Sequence, residues 1–295
     1  MSINRRRAPS SKVSSEKKLD GHKREFKYAR LLGGKTLGGT IKRDVEDKHG
    51  NFHSVKGGKK WQIFLYRENK IESSRYLNIL LPCLNAFTAN PTQYFQDRTK
   101  CISFKETYIS KHGRAKAKDL SNEIISQHLG VNSYMRSKEK LALTTKAVSD
   151  KLCNPSFLRC FLAEAIFNND EVLYLAVEDS TLRKDMLFKV FMREDVLDIL
   201  ARKLYPSVSK AGLTPSDYNV GGQKTLLRYV DGRNNDKNIV EIEIRNDSEQ
   251  HYREVRFNMY SKDTLYLLLS ELDQISTKKP CDGMILYGKA IDMLL

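Results

Sequence analysis

The chain has 295 residues, enough for one large domain or two ordinary ones, and its 40% hydrophobic residues can fill a core. Its 51 Lys and Arg outnumber 36 Asp and Glu, and the net charge of +15 favours a polyanionic partner, nucleic acid before an anionic membrane. No apolar run approaches the ~20 residues of a membrane span, and Cys83, Cys101, Cys153, Cys160 and Cys281, odd in number and without a C-x-x-C pair, argue against a zinc site and a disulfide framework.

The first segment, "MSINRRRAPSSKVSSEKK", lacks the apolar stretch of a secretory signal, so residues 1–20 read as a basic, disordered arm. Such an arm serves phosphate tracking and solubility equally well. "HKREFKYARLLGG" predicts a short helix stopped by Gly33-Gly34. "TIKRDVED" and "NFHSVK" predict two strands joined by the loop "KHG", with Gly50 taking the positive φ. In that pairing opposed residue numbers sum to 98, so Asp44 faces Ser54 and Lys56 shares their side. "GGKKWQIFLYRENK" then predicts a helix, with glycines at its start and apolar residues in its body.

Residues 73–168 read as a helical, polar-rich insertion. Within it "LSNEIISQHLGVNSYMRSKEKL" has the cadence of a helix-turn-helix, which would present Asn132, Ser133, Arg136 and Lys138 to a major groove. Any two helices joined at a glycine look similar. "KHGRAKAKD", with Arg114 and Lys116, is a basic segment for phosphate contact or a solvated loop, and Lys59 and Lys60 are further phosphate candidates. "EVLYLAVED" and "LFKVFMRE" predict two strands followed by the helix "EDVLDILARKL". From Pro206 onward a hairpin, "NIVEIEIRND" against "YREVRFNMYS", precedes further helix. Its Arg245, Arg253 and Arg256 suit either guanine contacts or cross-strand ion pairs. The carboxylates Asp236, Glu241 and Glu243 of the same hairpin read as an exposed strand face rather than a metal site.

Asp44, then Ser54-Val55-Lys56 on the next strand, then Gln62-x-x-x-Tyr66, resembles the PD-(D/E)xK nuclease superfamily and its RecB-like branch. Glu25 would match the acidic residue of the preceding helix. The resemblance covers Glu25 to Glu68 and extends more weakly to the two later strands and their helix. One departure matters: Ser54 stands where the motif has its second carboxylate. Some restriction endonucleases of this superfamily share Ser-x-Lys and bring a glutamate from the following helix, which here would be Glu68; Glu25 is the other candidate.

The resemblance implies an α/β fold with a mixed central sheet flanked by helices, the restriction-endonuclease-like core. Its halves would be residues 21–72 and 169–205, with the insertion at 73–168 and a mixed region at 206–295 for DNA recognition or dimerisation. It further implies a Mg²⁺-dependent, sequence-specific double-stranded DNA endonuclease of the type II restriction class. Asp44, with Glu68 or Glu25, would hold the metal. Lys56 would serve the attacking water beside Ser54, and Gln62 and Tyr66 would orient the site. The same resemblance implies a homodimer, a companion methyltransferase acting on the same DNA site, and the cytoplasm of a prokaryote. A non-catalytic DNA-binding protein and a repair or structure-specific nuclease are the alternatives, and charge does not separate DNA from RNA.

Overall fold

The computed structural model describes residues 11–38, 42–116, 120, 122–179, 188–209, 224–246, 248–273 and 278–294. In chain order its helices and strands are α1 (Ser11–Leu31), β1 (Lys35–Thr36), β2 (Val45–Glu46), β3 (Phe52–Lys56), β4 (Lys60–Tyr66), α2 (Glu68–Glu72) and α3 (Leu81–Leu84). There follow α4 (Pro91–Lys116), α5 (Asn122–Leu129), α6 (Asn132–Leu152), α7 (Pro155–Phe167), β5 (Val172–Glu178), β6 (Phe188–Met192) and α8 (Arg193–Lys203). The chain ends with β7 (Tyr205–Val208), β8 (Thr225–Val230), β9 (Asp236–Arg245), β10 (Glu254–Tyr260), α9 (Ser261–Leu272), β11 (Lys279–Cys281), β12 (Met284–Tyr287) and α10 (Ala290–Leu294).

These elements form two compact units, one of residues 1–61, 166–200 and 264–295, the other of residues 62–165 and 201–263. The first holds a mixed seven-stranded sheet in the order β1-β2-β3-β5-β6-β12-β11. Strands β3 and β5 run parallel, as do β6 and β12, while the other neighbours are antiparallel. The second unit holds an antiparallel sheet, β4-β10-β9-β8-β7, and the helical segments between Glu68 and Ala165. The mixed sheet with helices agrees with the expected α/β class; the second sheet was not expected. Residues 264–295 return to the first sheet, so the stretch after Pro206 is divided between the units. Part of the expected N-terminal arm, from Ser11, is the first half of α1. No helix among the described residues is long and apolar enough to cross a membrane, and all five cysteines are unbridged.

The "KHG" hairpin forms as its sequence implies. Val45 pairs with His53 and Glu46 with Phe52, and Gly50 adopts φ 83°. One prediction fails. "GGKKWQIFLYRENK" is no helix but the strand β4, because its two glycines turn the chain between two strands and "WQIFLY" is dense in aromatic and branched residues that favour a pleated surface. The helical stretch begins only at Glu68.

One face of the first sheet is sealed by α1: Tyr28 and Ala29 join Val45, Val55, Tyr174, Ala176, Phe188, Val190, Met284 and Leu286 in a single core. A polar chain lies inside it. Tyr28 Oη is 3.0 Å from His53 Nδ1, and His53 Nε2 is 3.2 Å from Asp47 Oδ2. Burial keeps the imidazole neutral; since a carboxylate only accepts, its one proton is assigned to Nε2 and Nδ1 accepts from the phenol. Asp47 also receives the Asn51 side chain and the backbone N–H groups of His49 and Asn51, at 2.8–3.0 Å. Its burial would raise the carboxyl, but these donors together hold it below its ordinary range.

Burial pushes the His53 imidazole down to about 4 against the pull of Asp47. The unfolded chain binds that proton near pH 6.5 and the folded one only near 4, so stability falls as pH drops through this window. We expect urea unfolding to lose on the order of 3 kcal/mol to this residue between pH 7 and 4. His53→Gln should flatten that part of the profile; an unchanged pH profile in the variant would refute the assignment.

Candidate active site

The other face of the same sheet carries charge. Three donors converge on Asp44 Oδ2: Ser54 Oγ at 3.2 Å, the Val55 N–H at 2.6 Å and Lys56 Nζ at 2.9 Å. Asp44 immediately precedes β2, and Lys56 ends β3, so antiparallel pairing puts the start of one strand beside the end of the other. Alternation sends His53 and Val55 toward α1, and Ser54 and Lys56 away from it. Among the described residues no donor is bonded to Asp44 Oδ1, which leaves that oxygen for a ligand. Both charged side chains are largely shielded, at 14% and 17% exposure, so their attraction is screened less than on an open surface.

The strand ladder adds two residues that sequence reasoning missed. Lys56 lies opposite Val177 of β5, and Val177 lies opposite Lys189 of β6, so Lys189 shares the face of Lys56. Its ammonium is hydrogen-bonded to Asp179, one residue past the end of β5. The carboxyl ends of the parallel pair β3 and β5 therefore carry two acid–lysine pairs, Asp44–Lys56 and Asp179–Lys189. Crevices at such strand ends are the usual ligand sites of open α/β sheets. Deeper on the same face Leu175 and Phe191 pair across the strands, and Phe191 stacks on Tyr287 at 5.2 Å. The signal available in the sequence was slight: a lysine inside the apolar run "LFKVFM", needing a buried partner.

On the opposite face the strand ends are bound by an ion pair between Arg24 and Glu178, at 2.8 Å. A Cβ on Gly57 would lie 2.2 Å from Arg24 Nε, so glycine lets this guanidinium pass over the end of β3.

Other expected site residues have different settings from those the sequence suggested. Glu25 hydrogen-bonds His22 at 3.2 Å, on the helix that covers the face opposite Asp44. Gln62 and Tyr66 sit on β4, with Gln62 exposed and Tyr66 stacked on Phe64 at 4.4 Å. There is no Gln-x-x-x-Tyr helix. Glu68 begins α2 and accepts from Arg253 at 2.7 Å. Gln62, Tyr66 and Glu68 belong to the second unit, whereas Asp44 and Lys56 belong to the first.

The proposed DNA contacts fare unevenly. Arg253 is bound to Glu68 and to Asn85 Oδ1, Arg256 to Glu243, and Arg245 lies 3.9 Å from Glu254, so ion pairing is what the hairpin shows. Glu241 and Glu243 take Lys224, and Tyr260 donates to Glu241 at 2.8 Å. Lys59, Lys60 and Lys116 are exposed. Two helices, α5 and α6, do flank Gly130; the side chains of Arg114, Asn132, Ser133, Arg136 and Lys138 lie outside the described residues.

Among the described residues no group of three or more His, Cys, Asp or Glu could hold a metal ion. Two carboxylates are fewer than that, yet Mg²⁺ keeps several waters and is commonly bound through one or two carboxylates. No protein-family model, no curated protein and no solved structure matches this chain.

Asp44→Ala removes the acceptor of three hydrogen bonds and strands Lys56, so it should lower unfolding free energy by about 1–3 kcal/mol. Lys56→Met, which leaves Ser54 and the Val55 N–H on the carboxylate, should cost less. Denaturant midpoints of the two variants measure the difference, and equal midpoints would contradict this geometry.

Proposed function

We propose that this protein is a Mg²⁺-dependent endonuclease of double-stranded DNA, sequence-specific in the manner of type II restriction enzymes. The observation that carries the reading is the convergence of Ser54, Val55 and Lys56 on one oxygen of Asp44, at the carboxyl end of a parallel strand pair, in a chain of charge +15. Asp44 and Lys56 are the residues singled out by the Asp…Ser-x-Lys resemblance, and a hydrogen bond of 2.9 Å joins them. The missing second carboxylate is then Asp179, on the same face and at the same strand ends, rather than Glu25 or Glu68.

In this reading Asp44, with Asp179, would hold Mg²⁺, which supplies Lewis acidity toward a phosphate oxygen. Lys56 positions the attacking water and offsets charge that develops on the phosphate. Lys189 orients Asp179 and adds a second cation facing the polyanion. Ser54 donates to Asp44 and fixes the carboxylate for its ligand. Cleavage of both strands by a homodimer, and a methyltransferase that protects host sites, accompany this class by resemblance.

A second reading, a DNA-binding protein without catalysis, draws on one observation: each carboxylate already neutralises a lysine. The test is incubation of the purified protein with phage DNA and Mg²⁺ beside Asp44→Ala and Lys56→Ala. Discrete fragments from wild type, reduced about 10²–10³-fold in rate by either change, are the expected outcome. Retarded but intact DNA with all three proteins would favour the binder.

A further inference from the structure

A separate cavity of about 550 Å³ opens between α4 and α5, within the second unit. Its size falls in the range of small-molecule sites. Helix α4 lines it with Phe104, Tyr108, Lys111 and His112, spaced to share one helical face, and α5 contributes Ile124 and His128. The rings form a loose rack: Phe104 and His128 have centroids 4.9 Å apart, and Tyr108 and His112 4.6 Å apart. Ile124 is 49% exposed, so the apolar floor is open to a ligand. Among the described lining residues none is acidic, and Lys111 stands exposed.

An apolar, ring-lined slot with a cationic edge matches an aromatic base that carries a phosphate. Every base has a π-face that stacks on aromatic side chains irrespective of sequence, and an ammonium at the rim meets the phosphate. A purely aliphatic ligand would make no use of the imidazoles or the lysine. We propose that this groove binds a nucleobase and its phosphate, either as an unpaired base in a DNA strand or as a free nucleotide. Phe104 and Tyr108 supply the stacking surfaces and Lys111 the phosphate contact. This site is independent of the hydrolytic reading, because nothing in it involves Asp44 or Lys56.

The probe is a short single-stranded DNA oligonucleotide carrying one 2-aminopurine, titrated with the full chain in EDTA so that metal-dependent cutting plays no part. Stacking should quench its fluorescence. Phe104→Leu and Tyr108→Leu, which keep apolar bulk but delete the ring, should weaken binding about 5- to 100-fold. Asp44→Ala should bind as wild type does. Lys111→Gln, at an exposed helix position where substitutions change stability little, should weaken binding and flatten its salt dependence. Competition by free adenosine monophosphate would identify the free nucleotide as the ligand, and its failure beside tight oligonucleotide binding would identify the strand. Either result supports the site. Absence of quenching, or quenching indifferent to both ring deletions, overturns it. So does a concentration-dependent dimer lost in Ile124→Lys, which would show the groove packing a second copy.

Discussion

Two residue pairs decide where the chemistry of this protein can sit. Val45 opposite His53 and Glu46 opposite Phe52 set the register of a short hairpin, and every side chain on it follows. A slip by one residue would turn each of them to the other face. His53 and Val55 would leave the core, and Ser54 and Lys56 would enter it unpartnered. The cost of burying an uncompensated ammonium makes the slipped state untenable. The hydrogen-bonded chain from Tyr28 through His53 to Asp47 fastens the same register from the opposite face. Position and protonation of the imidazole are thereby tied to the placement of Asp44.

The first sheet divides its labour by face. Toward α1 it is mainly apolar, with the Tyr28–His53–Asp47 chain inside and the Arg24–Glu178 ion pair at the strand ends. Away from α1 it grades from Leu175, Phe191 and Tyr287 to a charged margin of Asp44, Lys56, Asp179 and Lys189. The rigidity of the margin comes from the core behind it. Strands packed on one face cannot shift independently, and side chains rooted on them hold their spacing better than loop residues do.

Much of the hairpin was legible because its signals are local. Gly50 marks the turn, the loop length sets the pairing, and alternation assigns Asp44, Ser54 and Lys56 to one side. The strands around Tyr174 and Val190 were equally readable from their branched and aromatic runs. Strand β4 was misread because Gly57-Gly58 punctuates a helix start and a strand turn alike, and "WQIFLY" satisfies either periodicity over so short a span. That error put Gln62, Tyr66 and Glu68 on one helix, whereas Gln62 and Tyr66 lie on a strand and Glu68 begins the helix after it. Asp179 and Lys189 escaped notice for another reason. They meet Asp44 and Lys56 only through strand pairing between segments far apart in sequence, and no local pattern reports the order β3-β5-β6. The same holds for β12, whose few residues give no periodicity to read.

The discontinuity of the first unit constrains the order in which a ribosome can deliver a finished fold. The second unit spans residues 62–165 and 201–263, so its five strands are all available before residue 264 is made. The seven-stranded sheet, by contrast, waits for Met284–Tyr287 to pair with Phe188–Phe191. Until then β6 presents an open edge, the kind of surface that invites pairing with another chain. The charged margin therefore becomes rigid only once Met284–Tyr287 have been synthesised, later than every strand of the second unit.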